Sequence, residues 1–219
     1  MFRRVLEISW ESSRVALFPL TVASFGLPLA SVQGFGASPE ANNLAALDPW
    51  LSLYPLLALA VGFSLALSVW NWDHQAEHIY SLTLPISRAG WAVEKMSTGV
   101  VLLMIPFFAF MLGAYLATAT LTIPAGLHAY PMDLSLRFFY ASLVSYSLMF
   151  ALAAGSVRTA LLILGGALGF FVVGQAIAAF ASMVFGVPDI FLFGAFVELL
   201  NNWPGPLHVF LGDWLLVDV

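Results

Sequence analysis

The sequence predicts an all-α polytopic membrane protein: an N-terminal interfacial helix, about five transmembrane helices, and a short re-entrant or interfacial helical hairpin at the C-terminal end. Three observations carry that class. Of the 219 residues, 61% are hydrophobic and only 9% are charged. Mean hydropathy is +0.95. Apolar runs of about 18 residues or more recur, each long enough at about 1.5 Å per residue to cross a hydrocarbon core roughly 30 Å thick. The whole chain, residues 1–219, reads as a single transmembrane domain.

Residues 1–14, "MFRRVLEISWESSR", place Phe2, Val5, Leu6 and Trp10 on one helical face and Arg3, Arg4, Glu7, Glu11 and Arg14 on the other. That is the pattern of a helix lying in the interface with its tryptophan at headgroup depth. The polar start and the lack of a small-residue cleavage site predict that this segment is retained, not removed as a signal peptide.

The first span, residues 15–32, is broken up by Pro19, Gly26 and Pro28. The second, residues 50–70, is the most uniformly apolar. The third runs over about 96–118 with Pro106 inside it, the fourth over about 134–154 and the fifth over about 159–185. Prolines are tolerated in spans where neighbouring helices and hydroxyls satisfy the freed carbonyls. Beyond residue 185, "GVPDIFLFGAFVELL" and "LHVFLGDWLLVDV" are each too short to span alone and are separated by "NNWPGP". Residues 186–219 therefore read as a helical hairpin with Asp189, Glu198, Asp213 and Asp218 near its polar edges.

Orientation follows from the basic residues. With the N-terminus cytoplasmic, five crossings put Arg3, Arg4, Arg14, Arg88, Lys95 and Arg158 inside and leave only Arg137 outside, in keeping with the positive-inside rule. The net charge of −5 gives no clustered basic footprint for nucleic acid.

Several function classes lose their chemistry. No charged residue sits deep inside any of the five spans as read here, where an ion-coupled transporter needs one. The polar candidates for a substrate path are Gln175 in the fifth span and Ser145 and Tyr146, beside Ser142 and Ser147, in the fourth; each also reads as an interhelical hydrogen bond. The only lysine, Lys95, stands in "WAVEKMS" and not in a phosphate-cradling Gly-x-x-x-x-Gly-Lys-Ser/Thr loop. No His-Glu-x-x-His or Gly-x-Ser-x-Gly motif is present, and there is no cysteine. The chain is expected to be no enzyme and to hold no cofactor of its own.

One polar stretch lies between the second and third spans, within residues 71–90: "DHQAEHIYSLTLPISR". His74 and His78 are four apart and would share a helical face near Asp73 or Glu77, but no third strong ligand is fixed, so no metal site is expected. Ile79, Tyr80, Leu82 and Leu84 interleave apolar groups with the charges, as in a short helix that lies on a membrane or docks in a groove. Pro85 ends such a helix. Ser87 is placed to cap the next one.

Glu77, then Leu84-Pro85-Ile86-Ser87-Arg88, then Lys95 resemble the coupling segment of the type-2 ABC-transporter permeases, the type V exporter fold. The layout is similar too: an interfacial N-terminal helix, a first span, an outer loop and a short apolar hairpin after the fifth span. Two features depart from that family: no glycine follows the acidic residue within "AEHIYSL", and the usual sixth span is absent or truncated. The resemblance implies a permease subunit of an ATP-driven exporter in the cell inner (cytoplasmic) membrane. It would pair with a second permease, identical or related, and each would sit on a cytoplasmic ATP-binding cassette subunit that holds ATP and Mg. Contact with that subunit is expected at Asp73, Glu77, Tyr80, Leu84, Pro85, Ser87 and Arg88. The first and fifth helices would form the seam between permeases, where Gly165-x-x-x-Gly169 permits close backbone approach. The alternatives are a non-transporting membrane anchor subunit of a larger complex, or a haem-exporter-like permease.

Overall fold

The computed structural model describes residues 2–33, 48–75, 87–120, 128–155, 158–159, 162–163, 165–166, 169–170, 173–174, 207–210 and 214–218. Long apolar stretches become long helices because a helix satisfies every backbone N–H and C=O within its own segment, the condition for burying backbone in lipid. The helices are α1 (Phe2–Gln33), α2 (Asp48–Gln75), α3 (Arg88–Thr120) and α4 (Pro131–Ala153). Among the described residues, four stretches are long and apolar enough to cross a membrane: Phe2–Val32, Leu53–Asn71, Ala89–Thr120 and Pro131–Ala153. The chain is on that ground a membrane protein.

It divides into two compact units, one of Met1–Ala151 with Asp213–Val219 and the other of Leu152–Gly212. Within the first unit, contacts fix the helix directions. Ser12 Oγ donates to Ser68 O at 3.0 Å and Tyr54 Oη to Ser31 Oγ at 2.7 Å, so α1 and α2 run antiparallel. Phe110 stacks on Phe138 with centroids 4.2 Å apart, and Tyr146 Oη reaches Met96 O at 3.3 Å, so α3 and α4 are antiparallel as well. Arg3, Arg4, Arg14 and Lys95 consequently gather at one end of the bundle, here called the basic end.

Small residues set the helix spacing. A Cβ on Gly62 of α2 would lie 2.5 Å from Ser145 Cβ and 2.6 Å from both Ser142 O and Tyr146 N of α4. A Cβ on Gly113 of α3 would strike the backbone oxygen of Phe25 in α1, and one on Gly99 the ring of Tyr146. Close backbone approach of this kind is how helices gain packing energy where lipid is as apolar as the side chains.

Three expectations are corrected or extended. Residues 1–14 are not a separate helix: α1 runs unbroken from Phe2 through Pro19 and Pro28 to Gln33. Each proline removes one ladder bond, and the remaining ladder and the packed neighbours carry the helix across the gap. The sequence pattern leaves open which face packs. Val5, Ser9, Ser13, Leu17, Ser24, Pro28 and Ser31 are buried, while Phe2 and Trp10, expected to share Val5's face, are exposed. The buried serines turn their hydroxyls onto their own helix, Ser13 to Ser9 O at 2.6 Å and Ser24 to Leu20 O at 2.7 Å, so none of these enters the interface as an unpaired polar group.

The third concerns the hairpin expected over 186–219. Most of it lies outside the described residues, but its last part is extended and not helical. β2 (Val217–Asp218) pairs antiparallel with β1 (His128–Ala129), His128 opposite Asp218 and Ala129 opposite Val217. Tyr130 N donates to Leu216 O at 2.9 Å. Trp214 and Leu216 are both buried, a spacing of two that suits a strand and not a helix. Directly after β1, α4 starts with Pro131 in its first turn and Asp133 close behind, a favourable N-terminus on both counts.

In the second unit, the described residues among 158–174 are helical, in line with the start of the expected fifth span, and His208–Phe210 form a single 3₁₀ turn. Gln175 lies outside the described residues.

Candidate functional site

The polar stretch singled out by the sequence joins the end of α2 to the start of α3. Asp73 and His74 belong to the last turns of α2. Glu77, His78, Tyr80, Leu84 and Pro85 lie outside the described residues, so neither the contact surface nor the histidine pair is placed. Ser87 is placed, and it caps α3 as expected. Gly90 N donates to Ser87 Oγ at 3.1 Å and Trp91 N to Ser87 O at 3.0 Å. A serine cap fixes where a helix begins by accepting from a donor that the first turn leaves orphaned. Arg88 is the first residue of α3.

Two turns into α3 stands the feature that sequence reasoning missed. The sequence reads Lys95 as a basic residue on the cytoplasmic side and as the last position of the coupling-segment resemblance, but not as a buried group; it is 3% exposed. The helix begins eight residues before the expected span, at Arg88, which puts the lysine inside the bundle. Its Nζ donates to Val69 O in α2 at 2.8 Å. The same ammonium lies 4.7 Å from the ring centroid of Trp70 and 5.4 Å from that of Trp91.

Each contact compensates for part of the lost hydration. A charge-assisted bond to a carbonyl is roughly twice as strong as a neutral one, and a desolvated cation over an indole face gains about 2 kcal/mol. The signal was present in the sequence: the one lysine has a tryptophan four residues before it, on the same helical face. What sequence could not supply was Trp70, brought in from another helix.

All four helices meet around this level. Ser12 of α1 bonds Ser68 of α2. Trp70 packs on Phe150 of α4 with centroids 5.1 Å apart. Tyr146 Oη reaches Lys95 O at 3.4 Å and Met96 O at 3.3 Å. Glu94, beside Lys95, has one buried oxygen, Oε2, that no hydrogen-bond partner among the described residues reaches. The arrangement is mechanical in character: it ties two helix ends to each other and to the rest of the bundle.

The polar residues considered for a substrate path are buried among packed helices where they are described. Ser145 is buried, donates to Ala141 O at 2.8 Å and presses against Gly62. Tyr146 is fully buried over Gly99. Nothing among the described residues lies within 4 Å of where a Cβ on Gly165 or Gly169 would stand. Among the described residues no group of three or more His, Asp or Glu could hold a metal ion.

A second cluster occupies the opposite end. The Trp214 ring stacks on Tyr54 at 6.4 Å and 13°, Tyr54 meets Phe110 edge-on at 5.7 Å, and Arg137 lies 5.2 Å from the Trp214 ring centroid. Comparison with protein-family models, curated proteins and solved structures finds no match to this chain.

Proposed function

We propose that this chain is the membrane-spanning permease subunit of an ATP-driven ABC exporter, coupling a separate ATPase subunit to substrate movement. The observation that carries the reading is the junction between α2 and α3. A polar segment with the Glu77, Leu84-Pro85-Ile86-Ser87-Arg88, Lys95 pattern enters a helix capped at Ser87. That helix is bound to its predecessor through Lys95. A force applied to residues 76–86 is thereby delivered to two membrane-crossing helices at once.

In this reading the N-terminus and the basic end are cytoplasmic, in the inner membrane. The ATP-binding cassette subunit holds ATP and Mg and contacts Asp73, Glu77, Tyr80, Leu84, Pro85, Ser87 and Arg88. A second permease, the same or related, completes the transporter. Gly165 and Gly169, with no described residue within 4 Å of a Cβ position there, are where that second copy would approach closely.

The test is recovery of partners from detergent extracts of cells expressing the tagged full chain together with its neighbouring genes. Co-purification of an ATP-binding cassette protein, lost in the Glu77→Ala/Arg88→Ala variant, supports the permease. Recovery only of a complex without ATPase activity overturns it in favour of an anchor subunit.

A further inference from the structure

We propose that Lys95 is a positioning residue, a clamp that holds the end of α2 on the start of α3 so that the two helices move as one body when the segment between them is loaded. The loading rests on the permease reading; the clamp itself does not.

Burying an ammonium carries a large desolvation cost. A lysine 3% exposed has lost its hydration, and it is tolerated only where directed contacts replace that hydration. A methionine of similar length would fill the same space with no such penalty, because apolar replacements of buried ionic groups are often neutral or stabilising. What methionine cannot do is donate to Val69 O. The bond to Val69, 2.8 Å long, is directional and joins helices separated in sequence by the whole polar segment.

Its surroundings limit sideways motion. Trp91 stands one turn before Lys95 on the same helix, and Trp70 follows Val69 on the other, so the ammonium lies close to both indoles. Trp70 is in turn braced by Phe150 and, through Phe150, by Tyr146. Tyr146 also reaches the Lys95 carbonyl. A pull on α2 is thus passed to α3 through Nζ, and neither helix end can slide past the other without breaking that bond.

The chain contains no cysteine, so spin labels can be placed without altering the background. Asn71 and Ala89 are exposed and flank the clamp; Leu53 and Leu116 are exposed at the opposite ends of the same two helices. The Asn71→Cys/Ala89→Cys pair and the Leu53→Cys/Leu116→Cys pair are each measured by pulsed electron–electron spectroscopy in the full chain in lipid nanodiscs. With Lys95 in place, both pairs give narrow distance distributions.

Lys95→Met is expected to broaden the distribution of the pair near the clamp and leave the far pair unchanged. Lys95→Arg, which keeps a cationic donor, restores the narrow distribution. A near pair as narrow in Lys95→Met as in the parent overturns the proposal. So does equal broadening of both pairs, which would make Lys95 a determinant of general stability. No ATPase is needed for this measurement, so loss of the clamp result and loss of the permease reading are separately observable.

Discussion

Substituting Gly62 by alanine tests the packing argument at its tightest point. The added Cβ would stand 2.5 Å from Ser145 Cβ, whereas carbon atoms make favourable contact at about 3.5–4.0 Å. The shortfall is about 1 Å. Two of the three nearest atoms, Ser142 O and Tyr146 N, are backbone and cannot rotate away, so α2 and α4 must move apart. Overpacking of this kind costs about 1–3 kcal/mol. Against it stands the gain from replacing glycine inside a helix, about 0.5–1 kcal/mol.

The net expectation is a loss of about 1–2 kcal/mol, or roughly 2–8 °C in Tm for a chain of this size. Gly26→Ala supplies the opposite sign. Among the described residues nothing lies within 4 Å of its Cβ position, so only the helix-propensity gain remains and Tm should rise by roughly 1–4 °C. Intrinsic fluorescence from the seven tryptophans during heating in one detergent reads both variants. A Gly62→Ala protein as stable as the parent, or shifted in the same direction as Gly26→Ala, would refute the claim that glycine sets the α2–α4 spacing.

Gly113→Ala should destabilise by a similar amount, about 1–3 kcal/mol, because the obstacle is the Phe25 backbone oxygen; the same thermal scan checks it. Ser87→Ala removes the cap of α3 and should cost about 1 kcal/mol locally, visible as amide exchange roughly fivefold faster over 89–91 with little change beyond. Trp214→Ala empties the stack on Tyr54 and is expected to cost about 3–5 kcal/mol, whereas Trp10→Ala, at an exposed position, should leave Tm within about 1–2 °C of the parent. Tyr54→Phe deletes the buried bond to Ser31 Oγ for about 0.5–1.5 kcal/mol, measurable by chemical denaturation in mixed micelles.

How far the sequence reached differs from element to element. The second span was expected over 50–70 and α2 runs Asp48–Gln75; the fourth was expected over 134–154 and α4 runs Pro131–Ala153. Both are long apolar runs with unambiguous ends. The start of α3 was legible at Ser87, because a serine after proline and before a helical run carries its own local chemistry. That cap also puts Arg88 and Lys95 on the helix ahead of its apolar part, as local chemistry predicts; what hydropathy does not show is that Lys95 is buried.

The direction in which α1 faces shows what local pattern leaves open. The stripe of Phe2, Val5, Leu6 and Trp10 reads as facing the membrane, and Phe2 and Trp10 are exposed, but Val5 is buried and the stripe does not say which residues pack. Here Val15, Phe18 and Val22 are among the most exposed residues, and serines 9, 13, 24 and 31 are buried. Lipid is as apolar as phenylalanine, so there is no hydrophobic gain in turning large side chains inward; closeness of packing decides instead, and small side chains permit it. The same logic holds at Gly62, Gly99 and Gly113.

By itself, then, the amino-acid sequence determined that these stretches are helices, since only a helix satisfies its backbone inside an apolar run, and it marked where α3 begins. Tertiary structure alone decided which face of each helix is buried, that Val217–Asp218 pair as a strand with His128–Ala129, and that Lys95 lies close to both Trp70 and Trp91. Those three outcomes depend on groups distant in sequence arriving within a few ångströms of each other, and no local periodicity encodes that arrival.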